Sequence, residues 1–314
     1  MSERYPRISR KHVRTKSVAE RSHKVRVEEF ADLEAAALLD CLPDQLKAAD
    51  WKAFCTSLAS AFSQRLPVIA MLGAHVVKVG CSPVIIDWVR KGFLSAVAFN
   101  GATAIHDAEI AMWGVTSEDV EQGLADGSFG MVQETPGLFA EALIRAEKDD
   151  LGLGEALGCR LAERKAPNAA SSIICACHEH RVPLSVHVAI GTDTIHQHPA
   201  VDGAALGAAS MADFEVFTAA VAGIVPGSVV LNLGSAVILP EVFLKALTLA
   251  RNLGHPCNGI VSADFSMIQQ YRPTVNVVGR PTKTGGGKGY TFIGHHEILL
   301  PLLHRCVEEK LSRS

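Results

Sequence analysis

Short aliphatic runs recur along this chain, separated by stretches in which apolar residues return every three or four positions. The runs suit strands buried on both faces of a parallel sheet, and the stretches between them suit amphipathic helices. The pattern predicts a helix over 44–64 and a strand over 67–75. Ser82-Pro83 then opens a helix, with serine as cap and proline at its first position, and Gly92 ends it. A strand over 94–99 closes on Asn100-Gly101, and a helix carrying Ile105, His106, Asp107 and Glu109 follows. Later come a helix over 168–181, a strand over 183–190, a helix over 211–224, a strand over 229–233 and a helix over 240–253. Strands over 258–262 and 274–278 and a helix over 295–310 complete the series. Strand and helix alternating through short joints read as an α/β chain, a doubly wound, mostly parallel Rossmann-like sheet with helices on both faces.

The 314 residues carry no composition break after the first thirty, so residues 31–314 read as one domain. Hydrophobic residues make up 48% and aromatic residues only 6%, which leaves Ala, Val, Ile and Leu to fill a sheet-and-helix core. A formal net charge of -3 gives no reason to expect nucleic acid or an acidic membrane as partner. No uninterrupted apolar run reaches the ~18 residues that span a bilayer, and no secretory signal is expected. Eight cysteines without CxxC spacing read as reduced thiols in a cytoplasm. The charge is uneven, with nine Lys/Arg against one acid, Glu20, between Arg4 and Arg26. Residues 1–30 therefore read as a flexible basic arm, with docking on a neighbouring subunit or organelle targeting as sharper readings.

In a doubly wound sheet, ligands sit at the carboxyl ends of the strands. Polar residues fall there repeatedly: Gly73, His75 and Lys78; Asn100, Gly101, His106 and Asp107; Thr192, Asp193, His196 and His198; Asn232, Gly234 and Ser235. After the run at 274–278 comes the segment Gly279–Tyr290, with Lys283, Gly286, Gly287 and Lys288, and then His295-His296-Glu297. A lysine among glycines can be desolvated and act as an amine nucleophile or base. Lys288 is accordingly the expected catalytic residue, with His296 and His196 for acid–base work near neutral pH. His198, Lys283, Gly286, Gly287 and His295 are expected to touch the substrate. A P-loop is disfavoured, because Thr282 stands where its first glycine belongs. His187 lies inside an apolar strand and reads as a core histidine, and no metal is expected. The run Asp126–Gly130 reads as a turn or as a second ligand-side loop.

The order of these pieces resembles the deoxyhypusine synthase family. Its strand-end loop before a helix is similar to Gly73–Gly80, and its Thr-Ala-Gly-Gly with following acids looks like Phe99–Ala102 with His106-Asp107. Its Ala-His helix, Pro-Val strand and Thr-Asp-Gly loop resemble Ala176–Pro183 and Gly191–Thr194. Its strand into a glycine turn resembles Val229–Ala236, and its late Gly-Lys element with a Phe-Pro-Leu-Leu helix resembles Gly287-Lys288 and Leu300–Leu303. The resemblance covers roughly residues 65–305. It implies a homotetrameric transferase with NAD at Gly73, His75, Asn100, Gly101, Asp107, Thr192, Asp193, Asn232, Gly234 and Ser235. It also implies an imine between Lys288 and the aminobutyl group of a small-molecule amine. The chain departs from the family where Leu239-Pro240-Glu241 replaces Lys-His-His, and where Thr284–Lys288 replaces the contexts that hold the polyamine. Acids to pair with such amines have no match, and a site rich in His and Lys prefers an anion. The alternatives are a hydrolase or lyase for an anionic small metabolite, without redox cofactor, or a catalytically silent binding relative.

Overall fold

The computed structural model describes residues 36–313 together with Arg14. The basic arm read over residues 1–30 therefore lies outside the described residues, apart from that one position. The chain clusters as two compact units, Met1–Ala49 and Asp50–Ser314. Described parts of the first are the short helix α1 (Leu38–Cys41) and the opening of α2 (Leu46–Ser63).

The second unit is built on six parallel strands: β1 (Val68–Leu72), β2 (Ala96–Asn100), β3 (Leu184–His187), β4 (Val229–Leu233), β5 (Val261–Ser266) and β6 (Lys288–Ile293). Their order is β3-β2-β1-β4-β5-β6. Every residue of β1 and β4 is buried, which is why these strands read as unbroken aliphatic runs. The crossovers carry helices α3 (Ala74–Lys78), α4 (Ser82–Arg90), α5 (Gly101–Trp113), α6 (Val120–Asp126), α7 (Glu134–Asp149), α8 (Leu153–Glu163), α9 (Ile173–His180), α10 (Gly203–Ala222) and α11 (Ile238–Asn252), and α12 (His296–Leu311) follows the last strand.

Alternation along the strands divides the core between two faces. Ile69, Met71 and Val230 pack on one side with Phe217 of α10 and Phe243 and Leu247 of α11. On the other side Trp51 and Phe54 of α2 meet Phe265 of β5 and Phe292 of β6 edge-on or tilted, with centroids 5.0–6.1 Å apart. Each fully buried Phe or Leu contributes about 1.5–3 kcal/mol, so this two-sided burial is the main stabilising contribution of the unit.

The structure differs from the sequence expectation at several places, among them strand β6, which runs where a loop was expected. Ser82 is not a cap but the first helical residue: Cys81 holds the cap position without a side-chain capping bond, and Pro83 sits in the first turn, one place later than expected. Helix α10 starts at Gly203 rather than 211, because Asp202 accepts hydrogen bonds from the amides of Ala204 and Ala205. By length and composition α10 is apolar enough to cross a membrane, although Asp213 and Glu215 interrupt it; here it packs on β3 and α11. Helices α6, α7 and α8 were not expected. The run at 274–278 is not a strand but part of a π-helix, Pro273–Gly279, with the Arg280 amide reaching the Val275 carbonyl at 2.9 Å. It covers β5, where the Ser262 hydroxyl donates to the Val277 carbonyl at 2.8 Å.

Candidate functional site

The chain winds one way from β1 to β3 and the other way from β4 to β6, so β1 and β4 form the switch point at which open α/β sheets hold ligands. The two strand ends touch. The Gly73 amide donates to the Leu233 carbonyl at 2.9 Å, and a Cβ on Gly73 would stand 2.3 Å from the Gly234 carbonyl oxygen. The Gly234 amide and His296 Nε2 both reach the Phe265 carbonyl oxygen, at 2.9 and 3.0 Å. That bond places the proton of His296 on Nε2, so Nδ1 is a bare acceptor, buried and without a hydrogen-bond partner among the described residues. Burial holds the pKa of His296 below the ordinary histidine value, and the His75 ring stands 5.4 Å away. One strand over, Asn232 donates through Nδ2 to the Ser235 carbonyl at 2.9 Å and to Asp264 Oδ1 at 2.7 Å. Its Oδ1 is a second buried acceptor without a described partner. Ser235 itself accepts the Leu239 amide at 3.2 Å, at the start of α11.

A second cluster lies at the ends of β2 and β3. Asn100 caps α5 by accepting the Thr103 amide at 2.9 Å. A Cβ on Gly101 would stand 2.1 Å from Asp193 Oδ2, so the glycine admits that carboxylate against the helix start. Amides of Gly191 and Asp193 donate to His196 Nδ1 at 3.1 and 3.2 Å, which leaves the proton on Nε2. Asp193 Oδ2 and His196 Nε2 lie 3.9 Å apart, both buried and without hydrogen-bond partners among the described residues. Burial raises the pKa of Asp193. Thr192 donates to the Ala189 carbonyl at 2.8 Å, and His198 Nδ1 accepts the Ala200 amide at 3.2 Å, so both shape their own turns.

Beside this cluster a cavity of about 650 Å³ opens between α5, α7 and the loop after β3, with Lys78, Trp113, Glu118, Phe129, Glu134 and Asp193 among its lining residues. His106 and Glu109, one turn apart on α5, also line it. His106 Nδ1 lies 2.6 Å from Thr116 Oγ1, whose hydroxyl donates to Glu109 Oε2 at 2.5 Å; Thr135 donates to the other carboxylate oxygen at 2.9 Å. The segment Asp126–Gly130 is a turn, as expected, and it also brings Phe129 to the cavity wall. A cavity of about 630 Å³ beside Asp213 and Arg181 lies instead where the chain enters β3, at the amino edge of the sheet.

Several expected site residues are elsewhere. Asp107 is fully buried on the inner side of α5, where it accepts the Ser172 hydroxyl at 2.5 Å and the amides of Ile173 and Ile174 at 2.8 and 2.9 Å. It caps α9, and burial pushes its pKa up to about 6. Lys288 opens β6, level with Val261 at the start of β5, and so lies at the amino edge of the sheet. It is exposed over the Tyr290 ring, 5.1 Å from the centroid, and its pKa is raised, chiefly by Tyr290. That is the opposite of a desolvated, deprotonated amine. The loop glycines serve packing there: a Cβ on Gly287 would stand 2.7 Å from the carbonyl oxygens of Ile260 and Thr282, while Gly285 and Gly286 turn through positive φ. Lys283 and Gly286 are exposed on the same loop, and His295 is exposed beside Glu297. His187 is the core histidine expected, 3.0 Å from Ser185 Oγ, its pKa pushed down to about 4 by burial. Sequence reasoning placed His106 at a strand end without giving it a role, and omitted Glu109, Thr116 and Thr135 from the site; the His-x-x-Glu spacing on one helix face was the available signal.

No family model matches the sequence, and no curated protein matches it. Solved structures do. AgrE in ternary complex with ornithine and NAD+ superposes with a TM-score of 0.54 at 15% identity, over 85% of this chain and 34% of that one. A candidate LOR/SDH protein from Methanococcus maripaludis S2 gives 0.52 at 16% identity, over 86% and 71%. A candidate deoxyhypusine synthase from Entamoeba histolytica gives 0.46 at 8% identity, over 82% and 87%, too distant to carry an argument. The chain spans about a third of the AgrE chain. At these identities the likeness is one of fold, an NAD-binding-like α/β sheet.

Proposed function

We propose that this chain is an NAD-dependent enzyme that holds the nucleotide across the β1/β4 edge and a small amine in the neighbouring cavity. The cavity carries the reading: Glu109, Glu118, Glu134 and Asp193 line it together with one lysine, Lys78, and Trp113. Four carboxylates around one ammonium favour a cation, and an aromatic wall favours it further. This reverses the expectation of an anion site and supplies the acids that the sequence did not reveal.

The switch point suits a nucleotide in two respects. Asn232 Oδ1 and His296 Nδ1 are buried acceptors without a partner among the described residues, and ribose hydroxyls and a carboxamide are donors. His75 and Lys78 stand on α3 where a Gly-x-Gly-x-x-Gly turn counted from Gly73 would have its second and third glycines. Lys78 would offer its charge, and His75 a ring N–H, to the phosphates in place of backbone amides. NAD, when bound, supplies hydride acceptance. The imine expected at Lys288 is not part of the proposal, since that residue lies at the opposite edge. A transferase outcome, a homotetramer and a cytoplasmic setting, which eight free cysteines suit, complete the reading.

A thermal-shift comparison of NAD, putrescine and succinate tests it. A ligand at 100 times its Kd adds about 2.7 kcal/mol, a shift of a few degrees. NAD and putrescine should each raise Tm and succinate should not. A response to succinate with none to NAD would retire both halves of the reading.

A further inference from the structure

We propose that His106 is the proton acceptor for the substrate in this cavity, held in one tautomer by Thr116 and supported in charge by Glu109. This rests on the cavity being the substrate site, and it adds a catalytic residue and two positioning residues to it. The hydrogen-bond directions follow from the chain itself. Glu109 is acceptor-only when ionised, so the Thr116 hydroxyl gives it the 2.5 Å hydrogen bond. Thr116 Oγ1 must then accept from His106 Nδ1 across 2.6 Å, which fixes the proton on Nδ1. The lone pair is left on Nε2, which makes no hydrogen bond to a described residue.

Thr135 holds the second carboxylate oxygen, so Glu109 keeps its orientation. The side chains of His106 and Glu109 are 17% and 16% exposed, dry enough for the interaction to count yet open to the cavity. The charged groups that line the cavity with the ring are Glu109 on α5, Lys78 on α3, Glu118 after α5, Glu134 on α7 and Asp193 after β3; Glu109 and Lys78 act on it directly. Burial, with help from Lys78, lowers the pKa of His106 against the pull of Glu109. The ring is thereby kept a neutral base at physiological pH. In the step, a substrate ammonium N–H bond breaks and its proton passes to Nε2. The electron pair stays on the substrate nitrogen as a free amine. Glu109 balances the imidazolium through Thr116, which keeps its own proton.

Nitrogen-15 NMR of labelled histidine in the full chain reads tautomer and titration without any substrate. His106 should be the Nδ1–H form with a depressed pKa. Thr116→Val should scramble the tautomer, Thr116→Ser should restore it, and Glu109→Gln should depress the pKa further. An Nε2–H form in the wild type would overturn the proposal even if the variants failed to fold. An unchanged tautomer in a folded Thr116→Val protein would do the same. Diethylpyrocarbonate, which acylates a neutral imidazole nitrogen, provides the second arm, with the modified residue mapped by mass spectrometry. Putrescine should slow acylation of His106 at least fivefold. Protection by succinate instead would overturn the amine reading and, with it, the proton transfer from an ammonium; protection by neither would remove the cavity as a substrate site, and the proposal with it.

Discussion

Gly73 and Gly234 meet so closely that a Cβ on the first would stand 2.3 Å from the carbonyl oxygen of the second. Both belong to the loops that leave β1 and β4, so this approach brings the two strand ends together at the switch point. His296 packs over the same spot, its ring 3.0 Å from where a Cβ on Gly234 would lie.

Gly73→Ala must therefore move backbone rather than a flexible side chain. A loss of about 1–3 kcal/mol is expected, as for other overpacked sites, measured by urea or thermal unfolding. Gly207→Ala is the control. It lies inside α10, where a Cβ would meet nothing within 4 Å, and should stabilise by about 0.5–1 kcal/mol.

Asp213 gives a pH dependence with a definite sign. Its carboxylate accepts the amides of Val186 and Gly154 at 2.8 and 2.9 Å, yet burial pushes its pKa from 3.8 up to about 7. Between those values the folded chain holds a proton that the unfolded chain has released, so this group makes stability fall as pH rises. Full release corresponds to about 1.4 kcal/mol per pH unit. Unfolding curves of wild type and Asp213→Asn should diverge in the variant's favour from about pH 4 to 7 and run parallel above. Parallel curves throughout would mean an ordinary carboxylate held by its amide donors.

Lys288→Ala should leave NAD and putrescine binding unchanged. The lysine lies at the amino edge and its contact with the Tyr290 ring is exposed, worth at most about 1 kcal/mol. A tenfold loss of affinity for either ligand in isothermal titration would return the residue to the site.

The strands at 68–72 and 229–233 were legible because full burial on both faces leaves only aliphatic residues there. The error at Lys288 has one physical source. Val275, Val277 and Val278 read as a strand, but Pro273 and the side-chain bonds of Asn276 and Thr274 stabilise a π-helix instead. In a parallel sheet each strand carries the chain from one edge to the other. Placing the last strand at 274–278, before the glycine loop instead of after it, therefore moved that loop from the amino edge to the carboxyl edge. The His106–Thr116–Glu109 chain was hidden for a different reason. Its members come from a helix and the loop after it, and only the fold brings the threonine between the other two.

Hydrogen–deuterium exchange with and without NAD locates the ligand directly. Slowed exchange is expected at residues 73–78, 100–106 and 232–236, where the chain leaves β1, β2 and β4 at the carboxyl edge, with the loop at 283–288 unchanged. Protection confined to 283–288 would contradict the assignment and place the nucleotide at the opposite edge of the sheet.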